Sequence, residues 1–171
     1  MHPNDPQPTI ELASRDDIAP LTDRWVRLAR DQRQYGSAIR ADANREPMRE
    51  TLGAYQVSDG LFVARLEGSI VGFATVSVER GSLELDETRG MLSNIYVDPP
   101  YRDRGIGTAL LEAAEASLAD RGVDTMLLEV MAANESARRF YRHKGYDARR
   151  VTMSRSLENR AENDTHSKED G

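Results

Sequence analysis

Hydrophobic residues along the chain follow a strand-like spacing first and a helix-like spacing next. Thr9–Ala13 alternates between polar and apolar residues and predicts a short strand. Apolar residues then recur at steps of three and four across Ser14–Gln32, which predicts an amphipathic helix that Pro20 is expected to kink. A second short helix is predicted around Glu46–Leu52, and Gly53 is expected to end it.

The middle of the chain is rich in β-branched residues and predicts three strands. Leu61–Glu67 and Ile70–Glu79 are separated by Gly68-Ser69, a spacing typical of a hairpin with a tight turn. Met91–Val97 is the next strand, and Asp98-Pro99-Pro100 stops it because proline cannot donate to a sheet.

From Gly105 the spacing becomes helical again, which predicts a long helix that reaches Arg121 and is ended by Gly122. Val123–Met131 (VDTMLLEVM) is mostly apolar and predicts a central strand. Asn134–Lys144 predicts another helix, ended by Gly145, and Tyr146–Leu157 returns to an extended pattern. This order of elements predicts an α/β domain built on one mixed sheet.

The length of 171 residues suits one compact domain better than two. We expect that domain at residues 9–157, between a proline-rich lead-in (1–8) and an acidic tail (158–171), both disordered. No apolar run approaches the ~20 residues that span a bilayer, so no membrane contact is expected. The lead-in has no apolar core of a signal peptide, which favours a cytoplasmic protein.

Charge and composition exclude several classes of function. The chain has 29 acidic and 23 basic residues, a formal net charge of -6, which disfavours binding to a nucleic-acid backbone. It has no cysteine, so disulfides, thiol catalysis and thiolate metal sites are excluded. Its three histidines offer little from which to build a zinc site, and we expect no metal.

The segment from Tyr96 to Thr108 carries the most specific chemistry. A strand ends, a loop turns, and Gly105 and Gly107 open a helix. Glycines at a helix start let backbone N–H groups approach an anion, which predicts phosphate binding. A nucleotide P-loop would need a lysine that is absent here, and Leu110 stands where a dinucleotide fingerprint needs a small residue. Taken alone, the two glycines are equally consistent with a helix that binds no ligand.

Two longer motifs extend this interpretation. Arg102, Gly105 and Gly107, directly after a strand ending in Val-Asp-Pro, resemble the acyl-CoA motif of the GCN5-related N-acetyltransferase (GNAT) superfamily. A second motif of that superfamily resembles a downstream set of residues, namely Leu127-Leu128-Glu129-Val130, Asn134, Ala137, Tyr141 and Gly145-Tyr146. The motifs cover residues 91–147, and the resemblance is closest to the ribosomal-protein alanine (N-terminal) acetyltransferase branch. Asp103 departs from the pattern, which often has glycine there.

The resemblance implies a GNAT-like, mostly antiparallel sheet with helices on both faces and acetyl-CoA as cosubstrate. It implies that backbone N–H groups at the helix start hold the pyrophosphate, that arginines add charge, and that a strand edge pairs with the pantetheine arm. The implied cofactor-binding residues are Ile95, Tyr96, Val97, Arg102, Arg104, Gly105, Ile106, Gly107, Thr108 and Asn134.

Two residues are candidates for proton transfer. Glu129 lies in an apolar run, where burial would raise its pKa and suit a general base, and the resemblance points to the same residue. The alternative is a strand-end glutamate paired with an arginine. The resemblance implies that Tyr141 protonates the departing CoA thiolate. A core aromatic is the alternative, although Phe140 or Tyr146 suits that role better.

These observations predict an acetyl-CoA-dependent N-acetyltransferase that transfers directly to a primary amine, with a protein N-terminus or a lysine favoured. Without cysteine an acyl-cysteine intermediate is impossible, which favours a ternary complex. The alternatives are a small-molecule amine as acceptor and a non-catalytic CoA-binding module. Nucleic-acid binding through the basic helix Arg138–Lys144 is disfavoured by the net charge. The acceptor and a possible homodimer are left open.

Overall fold

The structure, a computed structural model, describes residues 3–158. The chain divides into two compact units, Met1–Glu135 and Ser136–Gly171. Of the predicted lead-in, residues 3–8 form neither helix nor strand. Residues 159–171, nearly all of the predicted acidic tail, lie outside the described range.

The first unit is built on one five-stranded sheet. Its strands lie side by side in chain order: β1 (Thr9–Leu12), β2 (Leu61–Leu66), β3 (Ser69–Glu79), β4 (Arg89–Val97) and β5 (Thr125–Leu128). Neighbours run antiparallel except β4 and β5, which are parallel. The predicted mixed, mostly antiparallel sheet is therefore confirmed.

Helices cover both faces of this sheet. On one face α1 (Ile18–Gln32) and α2 (Arg45–Val57) bury a core that includes Leu21, Trp25, Leu52, Phe73 and Tyr96. On the other face α3 (Ile106–Asp120) packs so closely that a Cβ on Gly90 would lie 2.5 Å from Leu118 Cδ1. Because glycine lacks that atom, the helix can approach β4.

Two helix predictions need correction. Pro20 lies in the first turn of α1, where a backbone N–H has no helical acceptor, so it breaks no bond and one helix continues to Gln32. Gly53 lies inside α2 and does not end it. Leu52 and Tyr55 on this helix pack against the core, and such packing outweighs the ~1 kcal/mol cost of an internal glycine.

The later strands differ most from prediction. β5 is four residues long, half-buried throughout, and last in the sheet order, so the predicted central strand Val123–Met131 is wrong. An apolar run alone does not tell a central strand from an edge strand. Within the described chain no strand follows Leu128. Residues 146–157, predicted to be extended, have no regular secondary structure, and Val151 and Met153 there are 77% and 90% exposed.

A β-bulge in β4 changes which side chains face which helix. Leu92 lies opposite Val76 and Asn94 lies opposite Thr75, so Ser93 is an extra residue between them. Side chains alternate along a strand, and one extra residue reverses the alternation. Leu92 therefore lies on the α3 face, and Tyr96, four residues later, lies on the opposite face with α1.

All but the first residue of α4 (Glu135–His143) belong to the second unit, and the helix begins directly after Asn134. The helix ends at the left-handed Gly145 (φ 92°), as predicted. The ring of Tyr141 makes edge contacts with Phe140 (5.2 Å between centroids) and Tyr146 (5.8 Å). Tyr146 N–H also donates to Tyr141 O at 3.0 Å, so the chain folds back onto the tyrosine.

Candidate active site

One edge of β4 is open along half of its length. β4 pairs with β5 only through Arg89–Leu92, opposite Thr125–Leu128. Residues 93–97 continue past the end of this pairing, and in the described part of the chain no strand lies beside them on the side away from β3. We call residues 93–97 the open edge of β4.

The backbone direction along the open edge follows from one hydrogen bond. Asp98 N–H donates to Val71 O at 2.8 Å, and these residues lie opposite each other in register. Alternate residues of an antiparallel strand turn their N–H and C=O toward the partner. Tyr96 therefore faces β3, whereas Ile95 and Val97 direct their N–H and C=O away from β3 and into the opening. Ile95, Tyr96 and Val97 were all predicted to present backbone groups to a ligand at this edge. Only Ile95 and Val97 have backbone groups that point into the opening.

The loop after β4 leads to unpaired backbone donors. Ala109 N–H makes the first bond of α3, to Gly105 O at 3.0 Å, so the N–H groups of residues 106–108 have no helical acceptor. Gly105 is left-handed (φ 83°), and nothing lies within 4 Å of where its Cβ would be. Open space, free donors and the positive end of a fifteen-residue helix together suit an anion. We call residues 102–108 the helix-start loop.

A second left-handed residue lies in the same loop. Asp103 has a φ of 62°, a conformation that costs a non-glycine residue about 1 kcal/mol and that aspartate tolerates better than most. This explains why glycine suits the position. The carboxylate also brings a negative charge to a loop whose other charged residues are Arg102 and Arg104.

The two arginines of this loop differ in their partners. Arg102 Nε donates to Val97 O at 2.9 Å, and its guanidinium lies 5.4 Å from the centroid of the Tyr96 ring and 3.7 Å from the Asp31 carboxylate. Arg104 lies 5.7 Å from the centroid of Tyr101 and is exposed. Arg102 is thus held on the open edge by its own chain, whereas Arg104 is placed at the loop surface.

A largely buried ion pair fixes the start of this loop. Arg24 Nη2 lies 3.0 Å from Asp98 Oδ2 and also donates to Ile70 O, with the two charged side chains 15% and 12% exposed. Asp98 Oδ1 and Arg24 Nε, both buried, have no hydrogen-bond partner among the described residues. The pair ties α1 to the residue at which β4 ends. Nothing in the residue pattern of the sequence indicates it.

Side-chain hydrogen bonds also hold the bulge. Tyr55 on α2 donates to Ser93 Oγ at 3.1 Å, and Asn94 Nδ2 donates to the buried Thr75 Oγ1 at 2.9 Å. Both residues of the bulge are therefore attached to neighbouring elements on the α1–α2 face. Residue spacing along the chain indicates neither hydrogen bond.

The stretch after β5 carries two predicted site residues. Glu129 follows the end of β5 and is exposed, so the burial on which its predicted role rested is wrong. The next residues turn toward the segment between α1 and α2, where Met131 Cε lies 3.7 Å from the position of a Cβ on Gly36. Asn134 is buried, and its N–H donates to Met131 O at 2.9 Å.

The phenol ring of Tyr141 is partly buried against two neighbouring aromatic rings. Burial raises the pKa of Tyr141 to about 12, because the phenolate would lose its hydration. The hydroxyl therefore stays protonated at neutral pH, as a proton donor requires.

The described residues contain no helix long and apolar enough to cross a membrane. Within residues 3–158 no group of three or more histidine, aspartate or glutamate side chains is placed to hold a metal ion.

An open strand edge beside a free helix start defines the architecture of an acyl-CoA transferase fold. The model of the acetyltransferase (GNAT) family matches residues 23–146, and the chain belongs to that family. This confirms the resemblance to the superfamily. The family match does not confirm the predicted membership of the ribosomal-protein alanine branch.

Relatives and solved structures agree with this placement. An uncharacterized N-acetyltransferase of Methanocaldococcus jannaschii is 34% identical over 54% of this chain and 41% of its own length. A second, from Archaeoglobus fulgidus, is 31% identical over 48% of this chain and 56% of its own. The chain thus spans about half the length of the curated relatives it matches.

Among solved structures, a GCN5-related N-acetyltransferase from Ralstonia eutropha has a TM-score of 0.71 at 25% identity, over 88% of this chain and 99% of that one. Aminoglycoside N-acetyltransferase AAC(6′)-Iy, solved with CoA, has a TM-score of 0.66 at 18% identity over 92% and 99%. The predicted fold class is confirmed.

Proposed function

We propose that the protein transfers the acetyl group of acetyl-CoA directly to a primary amine. The observation that carries this proposal is the open edge of β4 leading into the free donors of the helix-start loop. An extended arm that ends in phosphates matches this arrangement, because the edge offers strand-like hydrogen bonds and the loop offers anion binding. Family membership supports the same cosubstrate.

The residues fit such a ligand at two places. Ile95 and Val97 would pair with the pantetheine arm through their main chain, and the N–H groups of residues 105–108 would bind the pyrophosphate. The empty space at Gly105 is what a close phosphate would need. Arg104 adds charge at the loop surface. Asn134 is proposed to hydrogen-bond the arm.

Proton transfer is assigned to two residues. When bound, acetyl-CoA supplies the thioester whose acyl carbon the amine attacks. Glu129 would accept a proton from the acceptor, directly or through water, since its exposed carboxylate is open to solvent. Tyr141 would give its phenolic proton to the departing sulfur as the carbon–sulfur bond breaks. The carboxyl group and the phenolate then exchange a proton with solvent.

We propose a protein N-terminus or a lysine as acceptor, on the basis of the resemblance of the motifs to the ribosomal-protein alanine branch. The second candidate is a small-molecule amine. It is favoured by the fold likeness to AAC(6′)-Iy, one of whose structures holds a CoA–acetylneamine bisubstrate analogue.

The experiment measures release of CoA with a thiol reagent, which has no background here because the chain has no cysteine. Acceptors are a peptide with a free N-terminus, an N-terminally blocked peptide with one lysine, and an aminoglycoside. Mass spectrometry locates the acetyl group. Binding of CoA without turnover on any acceptor would favour a non-catalytic module.

Two variants test the proton-transfer residues. We expect Tyr141→Phe to lower kcat by roughly 10²-fold or more with CoA affinity unchanged, and Glu129→Gln to lower it with a changed pH profile. Tyr146→Phe and Glu112→Gln are matched controls on a neighbouring aromatic and on exposed α3. Full activity in either test variant removes that residue from its role.

A further inference from the structure

Arg102 lies where the proposed ligand would have to lie. Val97 C=O points into the opening, away from β3, and Arg102 Nε already donates to it at 2.9 Å. The guanidinium extends over the Tyr96 ring, 5.4 Å from its centroid. An arm that pairs with the open edge as a strand would bring its own N–H to the same carbonyl. Arm and arginine would thus approach the same carbonyl oxygen from the same open side of β4.

We propose that Arg102 is a placeholder: in the free protein its guanidinium occupies the backbone position that the pantetheine arm takes, and cofactor binding transfers it to the phosphates. This inference rests on the proposed acetyl-CoA site. It differs from a simple phosphate-binding role, because Arg102 has a defined set of partners that must first be given up.

The contacts that hold Arg102 are suited to exchange. Its distal nitrogen is 3.7 Å from Asp31 Oδ2, and the two side chains are 45% and 49% exposed, so water screens the pair. Arg102 is also three residues before Gly105, and a rotation of its long side chain would carry the charge from the open edge to the helix start. A pyrophosphate offers more negative charge than one carboxylate.

The resting position has a function of its own. With the arginine in place, the outward carbonyl of Val97 has a donor and the Tyr96 ring is covered. An uncovered strand edge invites pairing with another chain. Arg102 therefore protects this end of the open edge until the ligand replaces it.

The test compares two ligands that share the arm and differ in the phosphates: CoA and pantetheine, each titrated by calorimetry into wild type and Arg102→Ala. We expect Arg102→Ala to bind pantetheine roughly two- to fivefold more tightly, since nothing has to be displaced, and to bind CoA more weakly, since the phosphates lose a charge. Weaker binding of both ligands would mean a merely structural role. Weaker CoA binding with unchanged pantetheine binding would mean a phosphate ligand only. Either result overturns the proposal.

A second variant keeps the arginine and loosens its anchor. Asp31→Asn should tighten both ligands by roughly two- to fivefold, because Arg102 is released more easily. Asp42→Asn is the matched control, since it removes the exposed Arg30–Asp42 pair, which includes no residue of β4 or of the helix-start loop. An unchanged or weakened affinity in Asp31→Asn contradicts the placeholder. Failure of wild type to bind CoA at all is a separate result, and it would overturn the proposed function.

Discussion

Arg24 on α1 and Asp98 at the end of β4 form an ion pair at 3.0 Å in which each side chain is at least five-sixths buried. Arg24 also donates to Pro20 O and Ile70 O, so the guanidinium joins α1, β3 and the loop after β4. Breaking such a pair leaves a charge poorly compensated in a poorly solvated place, since without Arg24 the Asp98 carboxylate keeps the more distant and exposed Arg27, 4.0 Å from Oδ1.

Removing one partner should therefore destabilise the fold. We expect Asp98→Asn and Arg24→Met each to lower the free energy of unfolding by about 3 kcal/mol, and the double variant to lose less than the sum. Urea unfolding measures all three. Arg30→Met, which breaks an exposed pair, should cost less than about 1 kcal/mol. If Asp98→Asn lowered the free energy of unfolding equally little, the buried pair would not be what stabilises the junction of α1 and β4.

Acid should destabilise the protein through Asp17. Burial opposes ionisation, but hydrogen bonds from Arg65 Nη2, 2.8 Å from both carboxylate oxygens, and from Ser14 hold the pKa of Asp17 below its ordinary value. A depressed carboxyl pKa contributes stability that is present above the ordinary pKa of about 4 and is lost as pH falls through the folded value.

The check is the urea midpoint followed from neutral pH downward. Asp17→Asn should be less stable than wild type at neutral pH and should show a shallower decline below about pH 4. Asp23→Asn, which removes an exposed partner of Arg45, is the control and should decline as wild type does. Parallel curves for wild type and Asp17→Asn would contradict the assignment.

Asp103 should lower both the stability of the protein and its affinity for CoA, through two separable effects. Asp103→Gly removes both the left-handed strain and the charge, so it should be about 0.5 kcal/mol more stable and bind CoA more tightly. Asp103→Ala removes the charge but keeps a Cβ at positive φ, so it should bind CoA more tightly while being less stable. Thermal unfolding and calorimetry separate the effects. Equal CoA affinity in all three proteins would place the carboxylate away from the phosphates.

Gly105→Ala should impair both folding and binding. A Cβ at φ 83° strains the backbone by about 1–2 kcal/mol, and the methyl group would project into the open space proposed for the pyrophosphate. We expect CoA affinity to fall by at least tenfold. Gly122→Ala is a matched control, since Gly122 has φ 79° with equally open surroundings but lies beyond the other end of α3. If both variants lose affinity alike, the effect is one of stability.

Much of this fold follows from local spacing. The β2–β3 hairpin forms as predicted, but its turn lies one residue earlier, at Glu67 and Gly68. A two-residue type I′ turn needs positive φ at both central residues, and these two have it. The helix opened by Gly105 also begins at the predicted place. These features depend on contacts between near neighbours in sequence.

What the sequence did not reveal depends on distant partners. The burial of Glu129 was inferred from its apolar neighbours, but β5 is an edge strand that ends before it. Arg102 was expected to add charge to a phosphate site, whereas in the structure it donates to Val97 O. That bond depends on the direction in which the carbonyl groups of β4 point, and residue spacing does not reveal this direction. No spacing rule reports the extra residue at Ser93, because a bulge is defined only against the neighbouring strand.

That extra residue divides β4 into two phases of the strand alternation. Leu92 stays opposite Val76 and Asn94 opposite Thr75, so odd-numbered residues turn their N–H and C=O toward β3 before Ser93, and even-numbered residues do so after it. Deleting Ser93 would leave both pairs in place, so Val97 would still turn outward. What the deletion would remove is the local bend and twist that a bulge gives its strand. The bulge therefore sets the direction in which the open edge leaves β5, and not which carbonyls that edge offers.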